Sequence, residues 1–197
     1  MHKLIFATNN KNKVLEVRSI LGNRFSILSL KEAGINITIP EPHDTLQDNA
    51  AEKAQTIFNL TGTNCFSEDT GLEVASLNNL PGVLSARYAG NNSTDEQNIA
   101  KLLHNLTGKD RRARFRTVIC LIWDSKKYFF EGVCEGSIAS TPFGNSGFGY
   151  DPIFIPNGGN DRTFAQMTIE EKSQFSHRKK ATNKLIQFLL QYGQNKA

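Results

Sequence analysis

The stretch Phe66-Ser67-Glu68-Asp69-Thr70-Gly71-Leu72 sets two adjacent carboxylates and a small hydroxyl between an apolar run, Asn64-Cys65-Phe66, and a glycine. Consecutive side chains of an extended segment point to opposite faces. Bringing Glu68 and Asp69 to one point therefore calls for a turn, which Thr70-Gly71 is expected to supply because glycine tolerates sharp backbone angles. Hard oxygen ligands at a strand end suit Mg²⁺, which takes one or two carboxylates together with substrate phosphates. On these residues alone, an exposed acidic turn that binds nothing is the alternative.

Three other stretches carry chemistry of a complementary kind. Thr8-Asn9-Asn10-Lys11-Asn12-Lys13 lies between an apolar run, Leu4 to Ala7, and a segment with Val14, Val17, Ile20 and Leu21 at helical spacing. Strand, polar loop and helix in that order aim backbone N–H groups and a positive dipole end at an anion; plain asparagine capping with solvated lysines is the alternative. Ser176 is followed at once by His177, Arg178, Lys179 and Lys180. Cations at a helix N-terminus cost about 0.3–1 kcal/mol each unless an anion is bound there, and Arg178 can offer such an anion two donors; the bland alternative is solvent screening. In Gly147-Phe148-Gly149-Tyr150-Asp151-Pro152 the flanking glycines leave the Phe148 ring clear of neighbouring side chains, as stacking on a nucleobase requires. Asp151, held extended by the following proline, can accept from a base N–H or from a lysine. Read alone, the stretch is better explained as a turn with a core phenylalanine and a surface aspartate.

The elements that must position these groups are legible in outline. Phe25 to Leu30 reads as a strand. Thr45 and Asp48 announce a helix to about Leu60 whose inner face carries Leu46, Ala50, Ala54, Ile57 and Phe58. Lys53 projects near its start, beside the loop that carries Glu41. Ser93 or Thr94 caps another helix, with Ile99, Leu102, Leu103 and Leu106 buried. Phe115 to Trp123 and Tyr128 to Ala139 form a long hairpin joined by Asp124 to Lys127. A short strand, Ile153 to Pro156, and a short helix opened by Thr168 to Glu171 precede the final helix, which buries Ala181, Leu185, Phe188, Leu189 and Tyr192. Helices interleaved with strands around an antiparallel hairpin imply an α/β fold with a mixed sheet.

Composition bounds the class. A chain of 197 residues, 39% hydrophobic and 21% charged, forms one domain or two lobes sharing a core. Its net charge of +4 suits an anionic small molecule or weak nucleic-acid contact and does not choose between them. The cations are dispersed among carboxylates, which argues against a nucleic-acid-binding module with a continuous basic face and several stacking aromatics. Cys65, Cys120 and Cys134 sit in apolar runs without metal spacing and read as reduced core residues. The N-terminal apolar run is too short for a signal peptide, and nothing approaches membrane-spanning length, so a cytoplasmic protein is expected.

Taken together, these motifs resemble those of the Ham1-like inosine triphosphate pyrophosphatases, nearly end to end. The resemblance is carried by Thr8-Asn9-Asn10 with Lys13, Asn49-Ala50 with Lys53-Ala54, Asp69-Thr70-Gly71-Leu72, and Pro81-Gly82 with Ser85-Ala86-Arg87-Tyr88. It continues through Gly147 to Pro152, Glu171-Lys172 and Ser176-His177-Arg178. That family usually reads Asp-Asp-Ser-Gly at the central stretch, where this chain has Glu68-Asp69-Thr70-Gly71. The resemblance implies an elongated α/β fold, a Maf/Ham1-like curved mixed sheet flanked by helices with two lobes and a central cleft, built from one domain over residues 1–197 and acting as a homodimer with Mg²⁺. It implies hydrolysis of ITP, dITP and XTP to the monophosphate and pyrophosphate, which removes deaminated purines from the nucleotide pool. By the same resemblance Thr8, Asn9, Asn10, Lys11, Asn12 and Lys13 line the triphosphate site, Glu41 and Asp69 hold the metal, Asp69 is the general base and Thr70 touches substrate. Phe148, Gly149, Tyr150, Asp151, Lys172, His177 and Arg178 surround base and sugar, while Lys53 and Arg87 help neutralise pyrophosphate. A Maf-like pyrophosphatase for other modified nucleotides is the competing enzyme class; neither a nucleic acid nor a membrane is an expected partner.

Overall fold

The structure, a computed structural model, describes residues 2–21 and 25–194. Seven strands, β1 (His2–Phe6), β2 (Phe25–Ser29), β3 (Cys65–Val74), β4 (Leu80–Pro81), β5 (Arg112–Trp123), β6 (Lys126–Ile138) and β7 (Phe154–Pro156), form one sheet. Its order is β2-β1-β3-β5-β6-β7, with β4 pairing on β3. The sheet is mixed: β1 runs parallel to β2 and β3, whereas β3–β4 and β6–β7 are antiparallel. The helices are α1 (Lys11–Leu21), α2 (Leu46–Thr61), α3 (Asp95–Asn105), α4 (Ile169–Phe175) and α5 (His177–Gln194). Among the described residues no helix is long and apolar enough to cross a membrane.

Local chemistry explains most of the boundaries. Thr45 Oγ1 accepts from the Asp48 N–H at 3.0 Å and opens α2, and Gly62, at φ 61°, closes it in the left-handed region. Thr94 with Gln97, and Thr168 with Glu171, form reciprocal capping boxes at α3 and α4. The turn between β5 and β6 needs positive φ at both central positions, and Asp124 (49°) and Ser125 (64°) adopt it. The side chain of Tyr192, expected on the inner face of α5, lies outside the described residues.

The chain divides into two compact units. One comprises Met1–Asp69, Thr117–Gly132 and Arg178–Ala197; the other comprises Thr70–Arg116 and Val133–His177. In the first, Leu4, Phe6, Val17, Phe66, Ile119, Leu121, Ala181 and Leu185 build one buried cluster, and Ala50, Ala54, Ile57, Cys65 and Cys120 belong to another. Phe6 and Phe66 stack across β1 and β3 with centroids 4.5 Å apart. In the second unit the core gathers Leu72, Val74, Ile99, Leu102, Phe115, Ile153, Phe154 and Phe164. All three cysteines are free and buried, and burial pushes the Cys65 and Cys120 thiols up to about 12.

One expectation is overturned. Glu68-Asp69-Thr70-Gly71 is not a turn at a strand end; β3 runs straight through it to Val74. Gly71 is there for close approach instead: a Cβ on it would lie 2.6 Å from the carbonyl oxygen of Gly82.

Candidate active site

Because β3 is extended through residues 68 and 69, the two carboxylates serve opposite faces of the strand, and each has its own cation set. Asp69 Oδ1 accepts from Lys53 Nζ at 2.9 Å. The same ammonium donates to Glu41 Oε1 at 2.5 Å. Lys53 projects from the buried face of α2, with 7% of its surface exposed. Glu41 sits on the irregular segment before that helix, and Asn49 holds the segment in place: its Oδ1 accepts from the His43 N–H (3.0 Å) and its Nδ2 donates to the His43 carbonyl (2.9 Å). Below Asp69, Ser67 donates its hydroxyl to the Ala50 carbonyl and ties β3 to α2.

The electrostatics of this pair are those of a shared cation. Burial raises the Asp69 pKa and the Glu41 charge raises it further; Lys53 and Lys13 oppose this, and the net shift is upward. Burial disfavours the Lys53 ammonium, but Asp69 and Glu41 outweigh it and keep the lysine charged. Two carboxylate oxygens already organised around a positive group are a chemically suitable donor set for a hard divalent cation that completes its shell with water and phosphate. Among the described residues no group of three or more His, Cys, Asp or Glu could hold a metal.

Glu68 faces the other way and is wholly buried. Both of its oxygens accept from Arg178 Nε, at 3.0 and 2.9 Å, and Oε1 lies 3.2 Å from Lys13 Nζ. Arg178 Nη1 donates to Glu16 on α1. Burial works against the Glu68 charge, but Arg178 and Lys13 overcome it and hold the carboxyl at about 2. The anion that the cationic start of α5 requires is thus in part the protein's own: Glu68 and Glu16 neutralise Arg178, which is 2% exposed. Nε and Nη1 of Arg178 are committed to these carboxylates, whereas the sequence reading expects its donors at a ligand.

In the N-terminal loop the asparagine capping is present, and Lys13 is paired with Glu68 rather than solvated. Asn10 Oδ1 accepts from the N–H groups of Asn12 (3.0 Å) and Lys13 (3.2 Å), an N-terminal cap for α1, and Asn10 N–H donates to Thr8 Oγ1 at 3.1 Å. Asn9 Oδ1 accepts from the Lys31 N–H at 3.1 Å. Lys11 and Asn12 are exposed, and Lys13 is half-buried against Glu68.

The remaining predicted residues belong to the second unit. Asp151 is 3% exposed; its Oδ2 accepts from Lys172 Nζ at 2.7 Å and from the Phe148 N–H at 3.0 Å. The Lys172 ammonium stands 5.1 Å from the centroid of the half-buried Phe148 ring and 5.4 Å from that of Phe164, within cation–π range. Tyr150 is a core residue whose hydroxyl donates to the Ser85 carbonyl at 3.0 Å. His177 is buried and stacked on Phe115, with centroids 4.7 Å apart. Thr70 is half-buried on β3, and Arg87 ends the short helical turn Gly82–Arg87. His177 and Arg178 are neighbours in the chain that fall in different units, as are Asp69 and Thr70.

Sequence reasoning gives no role to Glu16, and it quotes Asn49 only as part of the resemblance. Glu16 lies three residues beyond Lys13, one turn along α1, and nothing in its spacing announces a partner 162 residues away. The role of Asn49 has a sequence signal: a polar residue on the apolar face of α2, beside Ala50 and one turn before Lys53.

A mixed α/β sheet carrying a lysine-bridged carboxylate pair and a separate lysine–aromatic–carboxylate cluster has the parts of a phosphate-handling enzyme. The model of the Ham1 family matches residues 4–188 of this chain. The dITP/XTP pyrophosphatase of Flavobacterium psychrophilum is 50% identical over 187 residues, covering 94% of this chain and 98% of that protein. The dITP/XTP pyrophosphatase of Porphyromonas gingivalis is 51% identical over 192 residues, covering 96% and 98%. Among solved structures, a HAM1 protein from Coxiella burnetii matches with a TM-score of 0.89 at 36% identity, covering 97% of this chain and 100% of that one. The Staphylococcus aureus Ham1 protein gives 0.87 at 38%, covering 96% and 99%. The chain belongs to the Ham1 family.

Proposed function

We propose that the protein hydrolyses the triphosphates of deaminated purines, ITP, dITP and XTP, to the nucleoside monophosphate and pyrophosphate. The observation that carries this reading is the Glu41–Lys53–Asp69 arrangement, found in a chain about half identical to proteins named dITP/XTP pyrophosphatases. Mg²⁺ is the cation we assign to Glu41 and Asp69; bound with the substrate phosphates, it supplies neutralisation of their charge. Asp69 takes a proton from the attacking water. The water oxygen bonds to the α-phosphorus, the bond from that phosphorus to the α,β-bridging oxygen breaks, and pyrophosphate leaves with the electron pair. Lys13 and Lys53 offset the charge on the departing group. In the second unit Phe148 offers the face for the base, and His177 with backbone N–H groups offers donors for the C6 oxygen of hypoxanthine or xanthine. Adenine presents an amino group there, and an unpaired polar contact costs about 1–3 kcal/mol, or roughly tenfold to a hundredfold in rate. Guanine shares the C6 oxygen and is refused at C2, where its amino group lacks an acceptor. A homodimer in the cytoplasm completes the reading.

The test is a panel of nucleoside triphosphates incubated with Mg²⁺, with products identified by chromatography. ITP, dITP and XTP are expected to be consumed and ATP and GTP largely spared, with pyrophosphate as co-product. Equal turnover of ATP and ITP, or orthophosphate as first product, contradicts the proposal.

A further inference from the structure

The loop from Gly147 to Asp151 must hold an aromatic ring in place using a backbone that is intrinsically loose. Gly147 and Gly149 both adopt positive φ, 83° and 60°, where other residues are strained. At Gly147 the space is also filled, since a Cβ there would lie 2.1 Å from Asp151 Oδ2. What fixes the loop is capture of its backbone N–H groups by carboxylates. The Phe148 N–H donates to Asp151 Oδ2 at 3.0 Å, and the Gly149 N–H donates to Asp95 Oδ2 at 2.6 Å. Asp151 is buried and shared with Lys172. Asp95, by contrast, is an exposed residue in the first turn of α3 with no place in the reaction.

The start of α3 is a firm mount for that carboxylate. Thr94 and Gln97 close a capping box around it. Asn98, 2% exposed, accepts from the Ala89 N–H (2.7 Å) and the Ser93 hydroxyl (2.8 Å) and donates to the Ala86 carbonyl (3.3 Å). The same support receives the other side of the loop, where Tyr150 donates to the Ser85 carbonyl. The Ser85-Ala86-Arg87-Tyr88 stretch and α3 therefore form a seat on which the loop is held at residues 149 and 150.

We propose that Asp95 is a positioning residue for nucleobase binding: by accepting from the Gly149 N–H it holds Phe148 in the orientation that stacks on the base. This rests on the reading of Phe148 as the stacking residue. Loss of the carboxylate leaves Gly149 free to sample other backbone angles and lowers the population of binding-competent loop, which weakens apparent affinity in proportion. A charge-assisted hydrogen bond at an exposed position corresponds to roughly a five- to twentyfold effect.

The experiment compares wild type, Asp95→Ala, Asp95→Asn and Phe148→Ala. It measures kcat and KM for ITP, the Kd for inosine monophosphate, and inhibition by inorganic tripolyphosphate, which has no base. Asp95→Ala is expected to raise KM and the monophosphate Kd about five- to twentyfold, with kcat within twofold and tripolyphosphate inhibition unchanged. Asp95→Asn keeps a neutral acceptor oxygen and is expected to recover part of the loss, about half of it on a logarithmic scale. Unchanged monophosphate binding in Asp95→Ala, equal weakening of tripolyphosphate, or no rescue by asparagine overturns the proposal. Phe148→Ala separates the two ideas: monophosphate binding that survives it removes the stacking reading, whereas binding that is lost there but kept in Asp95→Ala removes only the role of Asp95. Should the alanine variant not fold, Asp95→Ser, whose oxygen ends one bond short of the Asp95 carboxylate, is held to the same outcomes.

Discussion

Replacing Glu68 with glutamine removes one buried charge and almost nothing else. The Glu68 side chain has no exposed surface; its oxygens lie 3.0 and 2.9 Å from Arg178 Nε, and Lys13 Nζ is 3.2 Å away. Glutamine fills the same volume but takes the Glu68 charge away from Arg178, and removing one partner of a buried pair costs about 3–5 kcal/mol. The pH dependence gives a second, independent magnitude. Despite burial, Arg178 and Lys13 hold the Glu68 carboxyl at about 2, against an ordinary 4.5. A folded-state pKa below the unfolded one contributes stability that is complete above the unfolded value and drains away as pH falls toward the folded value. At about 1.36 kcal/mol per pH unit, the contribution is about 3.4 kcal/mol at pH 7 and about 2 kcal/mol at pH 3.5. Urea unfolding of the two proteins should therefore show wild type more stable by about 3–5 kcal/mol at pH 7, with the gap narrowing by about 1.4 kcal/mol at pH 3.5. A gap below about 1 kcal/mol, the range of exposed pairs, or one that stays constant across this pH range, refutes the reasoning.

Three further outcomes follow from named contacts. Asp69→Asn keeps the shape beside Lys53 but removes the proposed base, and steady-state turnover of ITP should fall at least about a hundredfold with an unchanged circular dichroism spectrum; near-normal turnover removes Asp69 from the catalytic role. Lys13→Ala should weaken binding of a triphosphate more than that of inosine monophosphate in calorimetry, and equal losses place Lys13 outside the phosphate site. Gly71→Ala forces a methyl to within 2.6 Å of the Gly82 carbonyl oxygen and should cost about 1–3 kcal/mol in chemical denaturation; a neutral result shows that the strand and the Gly82 segment part without penalty.

The architecture was readable because its signals are local. Apolar spacing placed α1, α2 and α5, Thr45 and Thr94 marked helix starts, and the apolar runs either side of Asp124-Ser125 marked the hairpin. The turn expected at Thr70-Gly71 was misread because a glycine in a strand has two uses, and only the neighbouring Gly82 backbone shows that this one admits a close approach. Site residues were legible by type rather than by partner. That Lys53 meets both Glu41 and Asp69, and that Arg178 answers Glu68 across 110 residues, depends on which strand lies beside which helix. Glu16 and Asp95 contact segments distant in the chain, so no local pattern distinguishes them from ordinary surface acids.

The most direct test of the proposed reaction is the fate of the water oxygen. Hydrolysis of ITP in ¹⁸O-labelled water, with products separated and weighed by mass spectrometry, reports which phosphorus is attacked. One ¹⁸O atom in the inosine monophosphate and none in the pyrophosphate is the expected result, since the proposal has Asp69 deliver water to the α-phosphorus. Label in pyrophosphate, or in orthophosphate released beside IDP, contradicts it.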